Sequence, residues 1–188
     1  MLDMGSARHW ARELQNGAIF PGAHVIDATM GGGGDTQALC ELVGENGHVY
    51  AFDIQPDAVE RTRARLTQAN LIERADLICA SHARMAEFVH EEVDAVVFNL
   101  GWLPGGDKSV TTLTDSTLTA VNAALSLLKR GGVMTICAYP GHSEGARERD
   151  ALIDWAEKLD GHCYQAMMRR YLNQPENTPL MIAVERMH

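Results

Sequence analysis

Hydrophobic residues along the chain alternate between two patterns. In one they form short continuous runs, and in the other an apolar residue recurs every three or four positions. The first pattern is typical of buried strands and the second of amphipathic helices. The predicted strands cover residues 24–28, 48–54, 76–80, 94–100 and 133–139, with two closing strands at about 163–172 and 180–185. The predicted helices cover residues 7–16, 36–43, 58–69, 114–128 and 144–159, with a short helix around 85–89.

Strands that alternate with helices at these distances predict a parallel α/β sheet with right-handed crossovers. No helical pattern separates the last two strands, so we expect them to pair antiparallel at one edge of the sheet. The chain of 188 residues fits one domain, 1–188, without an internal repeat. We therefore expect a Rossmann-like α/β fold whose seven-stranded sheet is mostly parallel. We expect the helix at about 7–16 to cover the functional site of this fold.

Charge and cysteine content narrow the possible partners. A net charge of −9 excludes a broad cationic surface, so any nucleic acid has to be held by a local patch. Four cysteines lie far apart without metal-ligand spacing, which indicates reduced thiols and no metal site. No apolar run reaches ~20 residues and no leader pattern opens the sequence, so we expect a cytoplasmic protein without a membrane segment. The candidate phosphate contacts are Arg8, Arg12, Lys129, Arg130, Arg147 and Arg149.

The first candidate site is the sequence DATMGGGGDT at residues 27–36, which follows the first strand. Glycines allow a tight turn, and the helix predicted to follow, capped by Asp35, presents unpaired N–H groups. Asp53 lies at the end of the second strand, where a carboxylate can accept hydrogen bonds from both hydroxyls of a ribose. A strand, a glycine loop, a helix and this acidic residue together predict a nucleotide-type cofactor, either NAD or S-adenosylmethionine.

Three features favour the methyl donor over NAD. Asp27 introduces negative charge next to the loop, which suits a sulfonium cofactor, although a turn carboxylate is an alternative interpretation. An NAD fingerprint places glycine against the pyrophosphate where this loop has an acid. The antiparallel pair predicted at the sheet edge is typical of the methyltransferase form of this architecture.

The second candidate site is NLGWLP at residues 99–104, directly after the buried fourth strand. Ligands of such sheets bind beyond the carboxyl ends of the strands, so this segment should face the cofactor. Asn99 can accept a hydrogen bond from an amino group, and Trp102 can stack on a base or close the loop as a core aromatic. Methylation of an amine depends chiefly on positioning.

Further candidate site residues follow other predicted strands, where they are expected at the same edge of the sheet as the two candidate sites. Asp107 and Lys108 follow in a glycine-rich loop, where a solvated ion pair is equally expected. Tyr139 and His142 follow the fifth strand, and His142 is suited to take a proton from an ammonium substrate, with a surface histidine as the alternative. Ser81 and His82 follow the third strand, where an adenine edge is expected.

These segments together resemble one family. DATMGGGGDT (27–36), VYAFDIQ (49–55), NLGWLPGGDK (99–108), YPGH (139–142) and NQ-x-x-x-x-P (173–179) are similar to small class I methyltransferases of the rRNA methylase type. Bacterial members of that family methylate transfer RNA, converting 5-aminomethyl-2-thiouridine at the wobble position to 5-methylaminomethyl-2-thiouridine. The resemblance extends from about residue 7 to residue 188.

The resemblance implies S-adenosylmethionine as cofactor and the tRNA anticodon loop as substrate. The arginine and lysine track leads us to expect, separately, a possible homodimer across which the track is shared. The resemblance also implies two sets of site residues. The cofactor set is Asp27, Thr29, Gly31, Gly33, Asp35, Thr36, Asp53, Gln55, Ser81, His82, Asn99 and Gly101. The substrate set is Trp102, Leu103, Pro104 and Lys108, with Asn99, Asp107, Tyr139 and His142 as catalytic candidates.

The chain departs from the family pattern at three positions. Gly32 stands where the family has Asn, Gly34 where it has His, and Trp102 where it has Tyr. If the family's Asn makes one neutral hydrogen bond to the cofactor, its replacement by Gly32 weakens cofactor binding by about 1 kcal/mol. Two alternatives to the tRNA enzyme stay open: a methyltransferase of ribosomal RNA or a small amine, and a cofactor-binding protein without catalysis.

Overall fold

The computed structural model describes residues 4–102 and 111–188, and within them seven strands form a single sheet. The strands are β1 (His24–Asp27), β2 (His48–Asp53), β3 (Ala75–Cys79), β4 (Val93–Asn99), β5 (Leu128–Ala138), β6 (Tyr164–Arg169) and β7 (Leu180–Arg186). The α-helices are α1 (Ala7–Ala18), α2 (Gly34–Val43), α3 (Pro56–Gln68), α4 (Thr114–Leu127) and α5 (Ser143–Glu157). Short 3-10 helices cover Ile72–Arg74 and His82–Glu87.

The strand order is β3-β2-β1-β4-β5-β7-β6. The first five strands are parallel, and β7 is antiparallel to both of its neighbours, β5 and β6. The predicted α/β class and the antiparallel pairing of the last two strands are therefore confirmed. The chain runs from β1 outward to β3 and returns to β4 on the other side of β1, which creates a crevice beyond the carboxyl ends of β1 and β4.

Helices cover both faces of the sheet, because side chains along each strand alternate between the two faces. On one face Val25, Val49 and Val97 pack against α2 and α3. On the other face Ile26, Phe98 and their neighbours pack against α4 and α5. The buried β4 contributes to both layers, so its run of apolar residues shows no alternation in the sequence.

Helix α1 lies on the α2 and α3 face, over β5 and β7. Trp10 and Ala11 are buried against Cys137 and Met181 of these strands. The indole Nε1 of Trp10 donates to the carbonyl of Met4 at 2.6 Å. The helix begins at a Ser6 cap and ends at Ala18, two residues beyond the predicted end. These buried contacts fix α1 against the sheet beside the crevice.

Two local predictions were wrong. The fifth strand was expected to begin at residue 133, but β5 begins at Leu128 and residues 129–132 lie within it as a bulge opposite Val93 and Ala95. Gly131 makes the bulge possible because its φ is +77°. Asp35 was expected to cap α2, but Gly33 occupies the cap position and makes no side-chain hydrogen bond. Asp35 lies in the first turn and has other partners, described below.

We predict that Phe98→Ala lowers the free energy of unfolding by about 3–5 kcal/mol, because the Phe98 ring is fully buried in the core between the sheet and α4 and α5. Urea unfolding followed by circular dichroism measures the change. Leu172→Ala is the control, since this side chain is 91% exposed and should change stability by less than about 0.5 kcal/mol. Equal effects of the two substitutions would contradict the assigned core.

Candidate active site

A cavity of about 980 Å³ lies beyond the carboxyl ends of the parallel strands. Its walls come from the segments that follow β1 to β5 and from α1. The residues that line it include Arg8, Thr29, Gly31, Gly32, Gly34, Asp35, Asp53, Gln55, Ser81, His82, Asn99, Gly101, Trp102, Tyr139 and His142. The volume lies within the range of small-molecule and cofactor sites.

The glycine loop packs against α3, and this contact dictates its shape. Gly31 and Gly33 have positive φ, and a Cβ on Gly33 would lie 2.8–2.9 Å from side-chain and backbone atoms of Thr62. The Thr62 hydroxyl donates to the carbonyl of Gly31 at 3.1 Å. A Cβ on Gly32 meets nothing within 4 Å. Gly33 is therefore required by close approach, whereas Gly32 has room for a side chain.

Asp27 stabilises this loop through buried hydrogen bonds. It is fully buried and accepts hydrogen bonds from the Thr29 N–H at 3.1 Å and from the Thr36 hydroxyl at 2.7 Å. Burial raises the pKa of Asp27 to about 7. The geometry is that of a turn carboxylate, the alternative considered from the sequence. Asp27 and Thr36 do not line the cavity, so their predicted cofactor contacts are not direct ones in this arrangement.

Asp53 lies at the end of β2 and faces the cavity. One carboxylate oxygen accepts from the Gly31 N–H at 3.0 Å and the other from the Gln55 N–H at 2.9 Å. These bonds fix the carboxylate plane, and each oxygen keeps a lone pair for a further donor. The group can therefore receive two hydroxyls side by side.

Ser81 and His82 follow β3 and line the next part of the wall. The Nδ1 of His82 is 3.2 Å from the carbonyl oxygen of Ala28, so this nitrogen carries the proton and Nε2 is an acceptor. Burial lowers the pKa of His82, which keeps the ring neutral. Ser81 caps the following 3-10 helix by accepting from the Ala83 N–H at 3.3 Å.

Asp35 joins three elements at the other side of the cavity. One of its oxygens accepts from Arg8 at 2.7 Å and from Arg12 at 2.8 Å, both on α1. The other oxygen accepts from the side-chain amide nitrogen of Asn99 at 2.9 Å. This bond fixes the orientation of the Asn99 amide, so its carbonyl oxygen Oδ1 remains as an acceptor. The Asn99 backbone N–H is held separately by the hydroxyl of Thr29 at 2.7 Å.

Tyr139, His142 and Trp102 form the rim. Burial raises the pKa of Tyr139 to about 12, so its phenol stays protonated at neutral pH. The rings of Trp102 and His142 pack with centroids 4.7 Å apart. His142 caps α5, with Nδ1 accepting from the Gly145 N–H at 3.1 Å. The neutral ring therefore carries its proton on Nε2 and has no free lone pair, so the predicted role of His142 as proton acceptor is inconsistent with this geometry.

Sequence reasoning missed the residues that hold the rim in place. The Thr112 hydroxyl accepts from the Gly101 N–H at 2.9 Å and donates to Glu148 at 3.0 Å. Glu148 is buried on α5, also accepts from the Thr117 hydroxyl at 2.6 Å, and its pKa is raised by burial. A glutamate inside an apolar helix face was the available signal in the sequence.

The predicted phosphate track is not one surface. Lys129 lies near the end of β5 that is remote from the cavity, and it pairs with Asp94. Arg130 donates to the Met187 carbonyl, and Arg149 donates to the Glu176 carbonyl and pairs with Asp150. Arg147 pairs with Asp115 and Glu144.

The remaining predicted residues divide into two groups. Thr29, Gly31, Asp35, Asp53, Gln55, Ser81, His82, Asn99, Gly101, Trp102, Tyr139 and His142 are brought together on one cavity, and Gly33 lies in the loop that forms its wall. Leu103, Pro104, Asp107 and Lys108 lie outside the described residues. In the ranges 4–102 and 111–188, no group of three or more His, Cys, Asp or Glu is arranged to hold a metal, and no helix is long and apolar enough to cross a membrane.

Comparison with known proteins identifies the family. The model described as "Putative rRNA methylase" matches residues 49–185. The chain belongs to this family. This rRNA methylase family member is similar to the solved structure of a "putative rRNA-methylase" from Clostridium thermocellum. The TM-score is 0.96 and the identity 34%, and the match covers 98% of this chain and 100% of that one.

Two further relatives carry names that bear on the cavity. A methyltransferase from Streptococcus mutans, solved in complex with SAH, has a TM-score of 0.88 and 32% identity over 98% of this rRNA methylase family member and 99% of that chain. A chloroplastic tRNA (mnm(5)s(2)U34)-methyltransferase from Arabidopsis thaliana is 39% identical over 176 residues, 88% of this chain. The match spans 62% of that relative's length.

We predict that Gly33→Ala destabilises the protein by at least about 1–2 kcal/mol, because the added Cβ meets Thr62 and the residue has φ of +77°. Thermal unfolding measures the change. Gly32→Ala is the matched control and should change stability by less than about 0.5 kcal/mol. The loop geometry would be wrong if both variants unfolded at the temperature of the unchanged protein.

We also predict that Asp27 makes stability fall as pH rises. Its folded pKa of about 7 is above the unfolded value, so the folded state holds a proton between about pH 4 and 7 that the unfolded chain has released. Raising pH through this window therefore removes up to about 4 kcal/mol from the free energy of unfolding. Urea unfolding at pH 5 and pH 8 should show a loss of stability that is larger by about 2–3 kcal/mol in the unchanged protein than in Asp27→Asn. Equal pH slopes in the two proteins would contradict the assignment.

Proposed function

We propose that this chain is an S-adenosylmethionine-dependent N-methyltransferase of RNA, converting 5-aminomethyl-2-thiouridine at the tRNA wobble position to 5-methylaminomethyl-2-thiouridine. The observation that carries the proposal is the Asn99 amide, whose nitrogen is held by Asp35 and whose Oδ1 is left as an acceptor for an amine N–H. The names of the Arabidopsis tRNA methyltransferase and of the Streptococcus methyltransferase bound to SAH support it.

The cavity residues fit the cofactor. Asp53 offers two lone pairs in a fixed plane, which suits the two ribose hydroxyls. The neutral His82 offers an Nε2 acceptor and Ser81 lies next to it, which suits the amino edge of an adenine. The open space at Gly32 allows a ligand to approach the loop backbone closely. Bound S-adenosylmethionine supplies an electrophilic methyl group on a positively charged sulfur.

The residues of this chain act chiefly by positioning the amine. An Oδ1 acceptor at Asn99 holds one N–H of a neutral amine and so directs the nitrogen lone pair away from itself, toward the cofactor. Trp102 offers a face on which a pyrimidine can stack. Fixing both reacting groups in one orientation removes much of the entropic barrier, so a strong base is not needed.

The ammonium form of the substrate has to lose a proton before transfer. Tyr139 is a neutral phenol, and the Nδ1 lone pair of His142 is used by Gly145, so neither group takes that proton. We infer that the proton passes to water at the rim. This makes the rate rise with pH up to the pKa of the substrate amine, since only the neutral amine has a free lone pair.

Several properties remain predictions from the sequence: the homodimer, the cytoplasmic location, the single domain over 1–188 and the roles of the individual site residues. The acidic composition leaves few free cations near the cavity for an RNA backbone. Arg61 lines it and has no partner in the part of the chain that the structure describes, which makes it the first candidate for a phosphate contact.

The test is methyl transfer from labelled S-adenosylmethionine to RNA from cells that lack the final wobble-uridine methyl. We expect label in a single modified uridine of the tRNA fraction. Label confined to ribosomal RNA would replace tRNA with ribosomal RNA as the substrate. Binding of S-adenosylmethionine without any transfer would favour the catalytically silent cofactor-binding protein.

We predict that Asn99→Ala lowers kcat/KM for this tRNA by roughly 10- to 100-fold, the usual worth of one hydrogen bond to a charged or developing-charge group. Steady-state kinetics with the purified variant measure the loss. Asn122→Ala is the matched control, because this exposed side chain on α4 lies outside the cavity lining and bonds to Leu118 and Trp155. Full transfer by Asn99→Ala would remove Asn99 from the site.

A further inference from the structure

The two ends of the cavity differ in charge. At the end formed after β2 and β3, the polar groups are Asp53, Ser81 and the neutral His82. Arg61 and Arg65 on α3 also line this end, but neither forms an ion pair with Asp53 in the part of the chain that the structure describes. At the end next to α1, a cation and an anion lie side by side, with Arg8 Nη2 2.7 Å from Asp35 Oδ1. A nucleoside needs the first kind of surface. A ligand end that carries one positive and one negative group needs the second.

We infer that Arg8, on α1, binds the carboxylate of the cofactor's amino-acid end, while Asp35 binds its ammonium. This inference rests on the proposed function, and it adds a residue that the sequence analysis had placed on an RNA-binding track. S-Adenosylmethionine and SAH both carry an amino acid at the end remote from adenine. With Asp53 at the ribose, that end extends toward the opposite side of the cavity, where Arg8 and Asp35 lie.

Arg8 is the cation best placed for this role among the arginines that line the cavity. Arg61 and Arg65 are both on α3, which follows β2 and so lies at the nucleoside end, and Arg65 already donates to the carbonyl of Gly32 at 2.9 Å. The guanidinium of Arg8 lies over the glycine loop, since a Cβ on Gly34 would be 3.7 Å from its Nη2. A carboxylate resting on this loop is therefore within its reach.

Arg8 can turn toward a ligand without moving its helix. Its side chain is 46% exposed, whereas Trp10 and Ala11 fix α1 to the sheet. The buried Gln15 side chain adds a hydrogen bond to the Thr135 hydroxyl at 2.9 Å. Only the guanidinium has to change partner, from Asp35 to the carboxylate.

Arg12 keeps Asp35 in place when Arg8 turns away. Its Nη2 bonds to the same Oδ1 at 2.8 Å, but Arg12 is outside the lining of the large cavity. Asn99 continues to hold the other oxygen. Arg8 and Arg12 therefore share one partner and one helix, and they differ in access to the ligand, which makes Arg12 the matched control.

The test is isothermal titration of three ligands: SAH, its analogue without the carboxylate, and 5′-methylthioadenosine, which lacks the whole amino-acid end. We expect Arg8→Ala to weaken SAH binding by about 10- to 100-fold, in keeping with a charge-assisted hydrogen bond. It should change the affinity for the other two ligands by less than about twofold. Arg12→Ala acts only through Asp35, so it should weaken binding of SAH and of the analogue without the carboxylate by the same factor.

Other outcomes overturn the inference in distinct ways. Equal losses for SAH and 5′-methylthioadenosine in Arg8→Ala would mean that Arg8 acts on the loop and not on the carboxylate. A larger loss in Arg12→Ala than in Arg8→Ala would exclude direct contact by Arg8. Failure of the unchanged protein to bind any of the three ligands would reject the proposed function itself. Arg8→Gln, which retains the length of the stem, repeats the test if Arg8→Ala shows altered circular dichroism.

Discussion

The site depends on how Asp35 is held. This carboxylate connects α1, the start of α2 and the end of β4, because its two oxygens accept from Arg8 and Arg12 on one side and from Asn99 on the other. The Asn99 amide has only one orientation that satisfies this bond. A residue in the first turn of a helix thus decides which atom of an asparagine on a neighbouring strand faces the cavity.

Three acidic residues surround the glycine loop, and each is stabilised differently. Burial favours the protonated form of Asp27 by raising its pKa to about 7, Asp53 is held by two backbone N–H groups, and Asp35 is balanced by two guanidiniums. Each arrangement avoids leaving an uncompensated buried carboxylate beside the loop. Asp53 is the one of the three that lines the cavity without a guanidinium partner in the described ranges, and such a carboxylate suits the two hydroxyls of a ribose.

Much of this architecture could be predicted from the sequence, because strands and helices differ in hydrophobic spacing and the ends of parallel strands meet at one edge. Asp53 and Asn99 were placed correctly on the cavity for that reason. The ion pairs of Asp35 could not be predicted, since its partners on α1 lie 23 and 27 residues away. The role of His142 depends on one bond to Gly145, and the bulge in β5 depends on pairing with β4. Such contacts are set by tertiary packing and leave no periodic signal.

The order of the last two strands has a consequence for the assembly of the sheet. β7 follows β6 in the chain but lies between β5 and β6, and it pairs antiparallel with both. During synthesis β6 therefore leaves the ribosome before the strand that joins it to the sheet exists. Until β7 arrives, the edge of β5 is open and the apolar residues Ile182 and Val184 are missing from the core. Closure of this edge is thus a late event in vectorial folding, whereas the nucleoside end of the cavity, which follows β2 and β3, can form earlier.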